Sequence, residues 1–156
     1  MWLVTGATGH IGNVLVRKLL GRGEKVRALI PAGESRDPLK GLDVEAMQGD
    51  VLDLDSVFAS LRGVRGIFHL AGVISIMPGP NPFVRKVNVD GTKNILKAAK
   101  EAGVEKVVYT SSIHAIQRPG SRGSGNSSSW RLNHRTLKLT LPPSRRTSST
   151  SRQMMR

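Results

Sequence analysis

Gly6, Gly9 and Gly12 stand three residues apart in the run Val4-Thr5-Gly6-Ala7-Thr8-Gly9-His10-Ile11-Gly12. The chemistry such a spacing offers is phosphate binding. One glycine permits a tight turn, a second lets a pyrophosphate approach the backbone, and a third lets a helix pack closely on a strand. A helix that begins at such a turn presents unpaired N–H groups and a partial positive charge. Context separates this run from an ordinary glycine turn, because it follows a short apolar strand and opens an amphipathic helix. His10 reads as a solvent-facing residue of the first helical turn rather than a catalytic one.

Further along, Asp50 sits at the tip of a short strand, a place suited to contact a base, with a turn acid as the plainer alternative. Asp53, Asp55 or Ser56 reads as the cap of the helix that follows. Ala71 and Gly72 are small enough to let a ligand near the backbone, although a plain turn would use them too. Asn88 reads as a helix N-cap.

These residues need elements to position them. Trp2 to Thr5 is an apolar run that suggests a buried strand. His10 to Leu20 follows as a helix with Ile11, Val14, Leu15, Val16, Leu19 and Leu20 on one face, ended by Gly21 and Gly23. Lys25 to Ile30, Val44 to Met47, Gly66 to Leu70 and Lys106 to Thr110 read as four more strands. Helices are expected up to about Leu61 and over Asn88 to Ala102. Apolar strands without polar alternation, separated by helices, predict a parallel sheet covered on both faces. The fold class is α/β, doubly wound, of the Rossmann type.

The same motifs carry a resemblance. Gly6-x-x-Gly9-x-x-Gly12 resembles the cofactor loop of the extended short-chain dehydrogenase/reductase superfamily. Gly49-Asp50-Val51-Leu52-Asp53 resembles its adenine-contacting segment, and His69-Leu70-Ala71-Gly72 its loop beside the cofactor ribose. Asn88-Val89-Asp90-Gly91-Thr92-Lys93-Asn94 resembles the start of its long fourth helix. Val108-Tyr109-Thr110-Ser111-Ser112 resembles its fifth strand with the catalytic serine, which Ser112 matches better than Ser111. The dihydroflavonol-reductase-like or NAD-dependent epimerase/dehydratase branch is the nearest in character, over about residues 2–117. The resemblance implies an NAD(P) site built from Gly6, Ala7, Thr8, Gly9, His10, Ile11, Gly12, Asp50, Val51, Leu70, Ala71, Gly72 and Asn88. Ser112 would hydrogen-bond a substrate carbonyl.

Cofactor choice turns on the end of the second strand, where an acid pairs with ribose hydroxyls in NAD-selective domains. This chain has Leu29-Ile30-Pro31 there, with Glu34 the nearest acid and Arg36 or Lys40 within reach of a 2′-phosphate. The balance tips narrowly to NADP.

The superfamily's reaction also needs a Tyr-x-x-x-Lys pair, the Lys lowering the pKa of the Tyr. The one tyrosine is Tyr109, and Ile113 stands four residues after it. The expected reading is therefore an oxidoreductase or epimerase lineage present as its cofactor-binding half and inactive as it stands.

Composition divides the 156-residue chain near Gln117. Residues 1–117 contain 15 basic and 11 acidic residues, whereas 118–156 contain 9 basic residues and no acid, so most of the +13 charge lies in the second part. That part lacks Val, Ala, Ile, Phe and Tyr, and is expected to be disordered. A reading-frame shift near 117–120 would explain it: Gln153-Met154-Met155-Arg156 read one base later contains a stop, and read two bases later encodes Asp or Asn, then Asp, then Ala or Glu. The alternative is a functional basic segment that binds nucleic acid, disfavoured because Trp130 is its lone aromatic. Loss of a sixth strand would leave Lys106 to Thr110 as an edge open to self-association.

Without cysteine there is no disulfide frame or thiol chemistry. The longest apolar stretch, Gly66 to Met77, is too short to span a bilayer, and no signal-peptide pattern opens the chain. A cytoplasmic protein acting on an unknown small molecule, with no metal site, is expected.

Overall fold

The computed structural model describes residues 1–75, 81–111 and 139–140. Five strands run parallel: β1 (Trp2–Thr5), β2 (Val26–Ile30), β3 (Val44–Gln48), β4 (Gly66–His69) and β5 (Lys106–Tyr109). A two-residue β6 (Leu139–Thr140) pairs antiparallel with β5. The order across the sheet is β3-β2-β1-β4-β5-β6. β1 is central, with Trp2 opposite Val26 on one side and Gly66 on the other. The order of strand addition reverses at β1, with β2 and β3 on one side and β4 and β5 on the other, and the crevice at that reversal is where open α/β sheets place their sites.

Alternation along β1 feeds two cores. Val4 points to the α1 side, where α1 (His10–Leu20) buries Gly12, Val16 and Leu19 against Val26, Ala28 and Ile30 of β2. Leu3 points to the opposite side, packing with Leu29, Ile67 and Val107 beneath α2 (Leu54–Ser60) and α4 (Thr92–Glu101). Leu3, Val4, Ile67 and Ile95 are wholly buried, each stabilising by about 1.5–3 kcal/mol relative to an exposed side chain.

Two expectations are corrected, and a choice among cap candidates is resolved. Ile11 and Val14, assigned to the buried helix face, are 60% and 50% exposed; the close contact of Gly12 with the β1 turn rotates them outward. Of the candidate caps of α2, Asp53 is the one used, accepting from the Asp55 N–H at 3.1 Å. The helix expected from Asn88 starts earlier. Asn81 caps α3 (Pro82–Arg85) by accepting from the N–H groups of Phe83 and Val84. A π-helical turn over Lys86–Gly91 then joins α3 to α4, so Asn88 is inside the helix and is not its cap.

The edge of β5 also differs from expectation. Lys106 and Val107 pair with Thr140 and Leu139, so part of that edge is covered by the basic segment itself.

One charged side chain crosses the layers. Arg27 of β2 is nearly buried, pairs with Glu45 of β3 at 2.8 and 3.1 Å, and donates to the carbonyls of Ser60 and Arg62 at 2.7 Å each. Removing it strands two carbonyls at the end of α2. Arg27→Ala should lower unfolding free energy by about 2–4 kcal/mol. Glu45→Gln, at a half-exposed position, should cost about 1 kcal/mol or less. Urea denaturation of both variants checks the difference.

Candidate functional site

The site lies at the carboxyl ends of β1, β2 and β4. Gly6 ends β1 with φ +69°, and a Cβ there would come within 2.8 Å of the Ala71 nitrogen, so the β1 and β4 loops touch backbone to backbone. Gly12 packs onto the same turn, where a Cβ would lie 2.0 Å from the Gly6 carbonyl oxygen. Gly9 differs from both. Its backbone is extended (φ −71°, ψ 167°), and a Cβ there would meet only the Gly6 oxygen, at 3.3 Å. The three glycines thus divide into a tight turn, an open approach and a helix contact. No side chain caps α1, which leaves its first N–H groups for another acceptor.

Around this turn is a cavity of about 380 Å³. Of the residues expected to form the site, Gly6, Thr8, Gly9, Asp50, Val51, Leu70, Ala71 and Gly72 line it. Ala7 is buried under the turn, Gly12 is buried in α1, and His10 and Ile11 face outward. Ser112 lies outside the described residues.

Asp50 forms its own turn, accepting from the Leu52 N–H at 2.9 Å while its N–H donates to the Ser56 hydroxyl. Val51 is held by α4, since Asn94 donates to its carbonyl and a Cβ on Gly91 would press on its side chain. Asn88 reaches the site through Val73, accepting from its N–H and donating to its carbonyl, both at 2.8 Å. That paired amide fixes the loop after β4, and Gly72 leaves room for it.

Sequence reasoning gave no separate role to His69, which organises this edge. Thr92 Oγ1 donates to the Asn88 carbonyl, so it accepts from His69 Nε2–H at 3.0 Å. The Ala71 N–H donates to Thr5 Oγ1, which in turn donates to His69 Nδ1 at 2.7 Å. Every polar atom is matched only when the imidazole is neutral. Burial pushes its pKa from the ordinary 6.5 down to about 4, and the ring stacks on Tyr109. Its position at the last residue of an apolar strand was the available signal. Glu34, Pro31, Phe83 and Val87 also line the cavity; the last two were missed because the Pro82–Arg85 helix was not expected.

A parallel sheet with reversal at β1 and a glycine turn leading into α1 defines a Rossmann-type α/β domain. The chain belongs to the 3-beta hydroxysteroid dehydrogenase/isomerase family, whose model matches residues 3–127, within the extended short-chain dehydrogenase/reductase superfamily. That match runs past Gln117. Sterol demethylase protein B of Methylococcus capsulatus is 47% identical over 114 residues, covering 73% of this chain and 35% of the relative. A 3 beta-hydroxysteroid dehydrogenase/Delta 5-->4-isomerase of Mycobacterium tuberculosis is 39% identical over 126 residues, 73% of this chain and 32% of its own. Among solved structures, Thermus thermophilus UDP-glucose 4-epimerase in complex with NAD superposes with a TM-score of 0.61 at 31% identity, covering 69% of this chain and 36% of that one. The chain spans about a third of the length of these relatives.

The His69 chain predicts a pH dependence. Its folded pKa lies below its unfolded one, so the unfolded state binds more protons between the two values. The stabilisation is complete above about pH 6.5 and is lost as pH falls through about 4, to a total of roughly 3 kcal/mol. Denaturant unfolding at pH 4.5 and 7.5 should show His69→Leu less stable than the unsubstituted chain at pH 7.5, with the gap narrowing at pH 4.5. Equal gaps at both values would remove the role given to the neutral imidazole.

Proposed function

We propose that this chain is the NAD(P)-binding half of an extended short-chain dehydrogenase/reductase of the oxidoreductase or epimerase/dehydratase type. The observation that carries the reading is the division of labour among Gly6, Gly9 and Gly12. The two glycines whose Cβ positions are blocked by backbone keep the turn and helix close. Between them, a Cβ on Gly9 would meet a single backbone oxygen, at 3.3 Å, and the residue lines the cavity at an uncapped helix N-terminus, the arrangement a pyrophosphate needs. Thr8 and Gly9 would hold the pyrophosphate, with Asp50 and Val51 at the adenine end and Leu70, Ala71 and Gly72 beside the ribose. Ala7, His10, Ile11, Gly12 and Asn88 would act behind them through backbone and packing. The NAD held by the T. thermophilus epimerase supports this reading.

Bound, the dinucleotide supplies a hydride donor or acceptor. Proton transfer would fall to a Tyr-x-x-x-Lys pair, and these 156 residues contain one tyrosine, Tyr109 in β5, with Ile113 in the lysine's place. Ser112 would orient a substrate carbonyl. By this reading the chain binds the cofactor and does not turn it over. The basic segment 118–156 carries no part of the function, and a shifted reading frame accounts for its composition. The setting is cytoplasmic. The part of β5 beyond Val107 is a place for self-association.

Gly9 allows a test, because its backbone conformation suits any residue, a Cβ there would meet only the Gly6 oxygen, and the residue lines the cavity. Gly9→Val should leave the melting temperature within a few degrees while weakening NADH binding about tenfold or more, read by nicotinamide fluorescence. Unchanged binding would place the phosphates elsewhere.

A further inference from the structure

We infer that Asn13 is a positioning residue of the dinucleotide site: it fastens the loop after β2 to α1 and so fixes one wall of the cavity. The inference rests on the dinucleotide reading above and adds to it a residue that does not line the cavity. The loop joins β2 to β3 and lines the cavity through Pro31 and Glu34. Its start lies beside Gly49 and Asp50, because the Gly49 N–H donates to the Ile30 carbonyl at 2.9 Å. It therefore borders the adenine end of the proposed cofactor.

Apolar burial does not hold this wall in place. Pro31 through Pro38 are all exposed, and the first buried side chain of the loop is Leu39, seated in the α1 core. A turn shapes its start, where Gly33 has φ +82° and the Glu34 N–H returns to the Pro31 carbonyl at 3.2 Å. Two side-chain bonds then tie it to the glycine turn and to α1. The Thr8 hydroxyl donates to the Glu34 carboxylate, and Asn13 Nδ2 donates to the Pro38 carbonyl at 2.5 Å. The Asn13 amide has only one workable orientation, since a carbonyl accepts and a guanidinium donates. Its Nδ2 must face Pro38 while its Oδ1 accepts from Arg17 Nε at 3.0 Å. The Asn13 N–H meanwhile donates to the Gly9 carbonyl at 2.8 Å. One residue thus joins the backbone of the glycine turn to the loop that walls the same cavity. Without that tie the exposed segment opens at little cost, and a ligand must order it on binding.

The test compares the full chain with Asn13→Ala and with Asn13→Leu, which keeps the shape of the side chain and neither of its hydrogen bonds. Trypsin cleavage after Arg36, read by mass spectrometry, reports the loop. Arg36 lines a separate hollow with Asp37, Leu39, Lys40, Val44 and Ala46, so a ligand in the glycine cavity does not shield it directly. Saturating NADH should slow this cleavage several-fold in the unsubstituted chain. Both substitutions should speed it several-fold without ligand and weaken NADH binding about fivefold, with the melting temperature within a few degrees. Three results would overturn the role of Asn13 and leave the dinucleotide reading standing. These are cleavage at the unsubstituted rate in both variants, NADH affinity unchanged despite faster cleavage, and NADH binding that leaves cleavage of the unsubstituted chain as fast as before. Absence of NADH binding by the unsubstituted chain, with its melting transition intact, would overturn both.

Discussion

The backbone contact between the β1 turn and the β4 loop is the constraint on which the site depends. At Gly6 the two loops approach so closely that a methyl group would collide with the Ala71 nitrogen and the Leu70 carbonyl. Such closeness is stable only when the polar groups on both sides are matched, since an unpaired buried donor costs about 1–3 kcal/mol. Thr5, His69 and Thr92 meet that requirement. Their hydrogen bonds run in one direction, from the Ala71 N–H to the Asn88 carbonyl. One buried imidazole thereby links β1, β4, the loop beside the cavity and the π-helical turn. The extra residue of that turn lets Asn88 reach Val73 while α4 keeps Ile95, Ala98 and Ala99 on the core.

The two faces of the sheet are covered unequally. On the α2 and α4 side, helices lie over β1, β4 and β5, and Ile67 is completely buried while Val107 is nearly so. On the other side, among the described residues, α1 covers β1 and β2, and Phe68 of β4 remains half-buried with its ring against Trp2. The outward-facing Ile11 and Val14 lie on that same helix. Two β-branched side chains of that helix are therefore left outside the core formed by the described residues.

What could be read from sequence followed from local, periodic causes. Short apolar runs between turns marked all five parallel strands to within a residue or so, including the edge strand β3, where Val44, Ala46 and Met47 sufficed although no residue of it is buried. The glycine spacing located the site, and eight of its expected residues do line one cavity. The failures share a different cause. Asn88 has the composition of a cap, yet its amide is taken by Val73, a contact set by tertiary approach rather than by neighbours in sequence. His69 is a single residue in an apolar run, and nothing local announces that two threonines, one at position 5 and one at 92, will meet its two nitrogens. Glu34 was visible as the nearest acid, but its return to the strand tip depends on one positive φ at Gly33.

Charge distribution decides how such a site would attract an anion. Taken whole, the chain is strongly basic, but residues 1–117 are close to balanced and the glycine turn contains no Lys or Arg. The cavity lining adds two carboxylates and no cation. A general positive field therefore does not draw phosphate to this place. Attraction has to come from the N–H groups at the start of α1, whose partial charges act within one helical turn. Short-range dipoles of this kind are weakened little by salt when a ligand sits against them, whereas a basic segment binding by phosphate contacts loses affinity steeply. Under the proposed reading, dinucleotide affinity is a property of the turn's geometry and not of the chain's net charge.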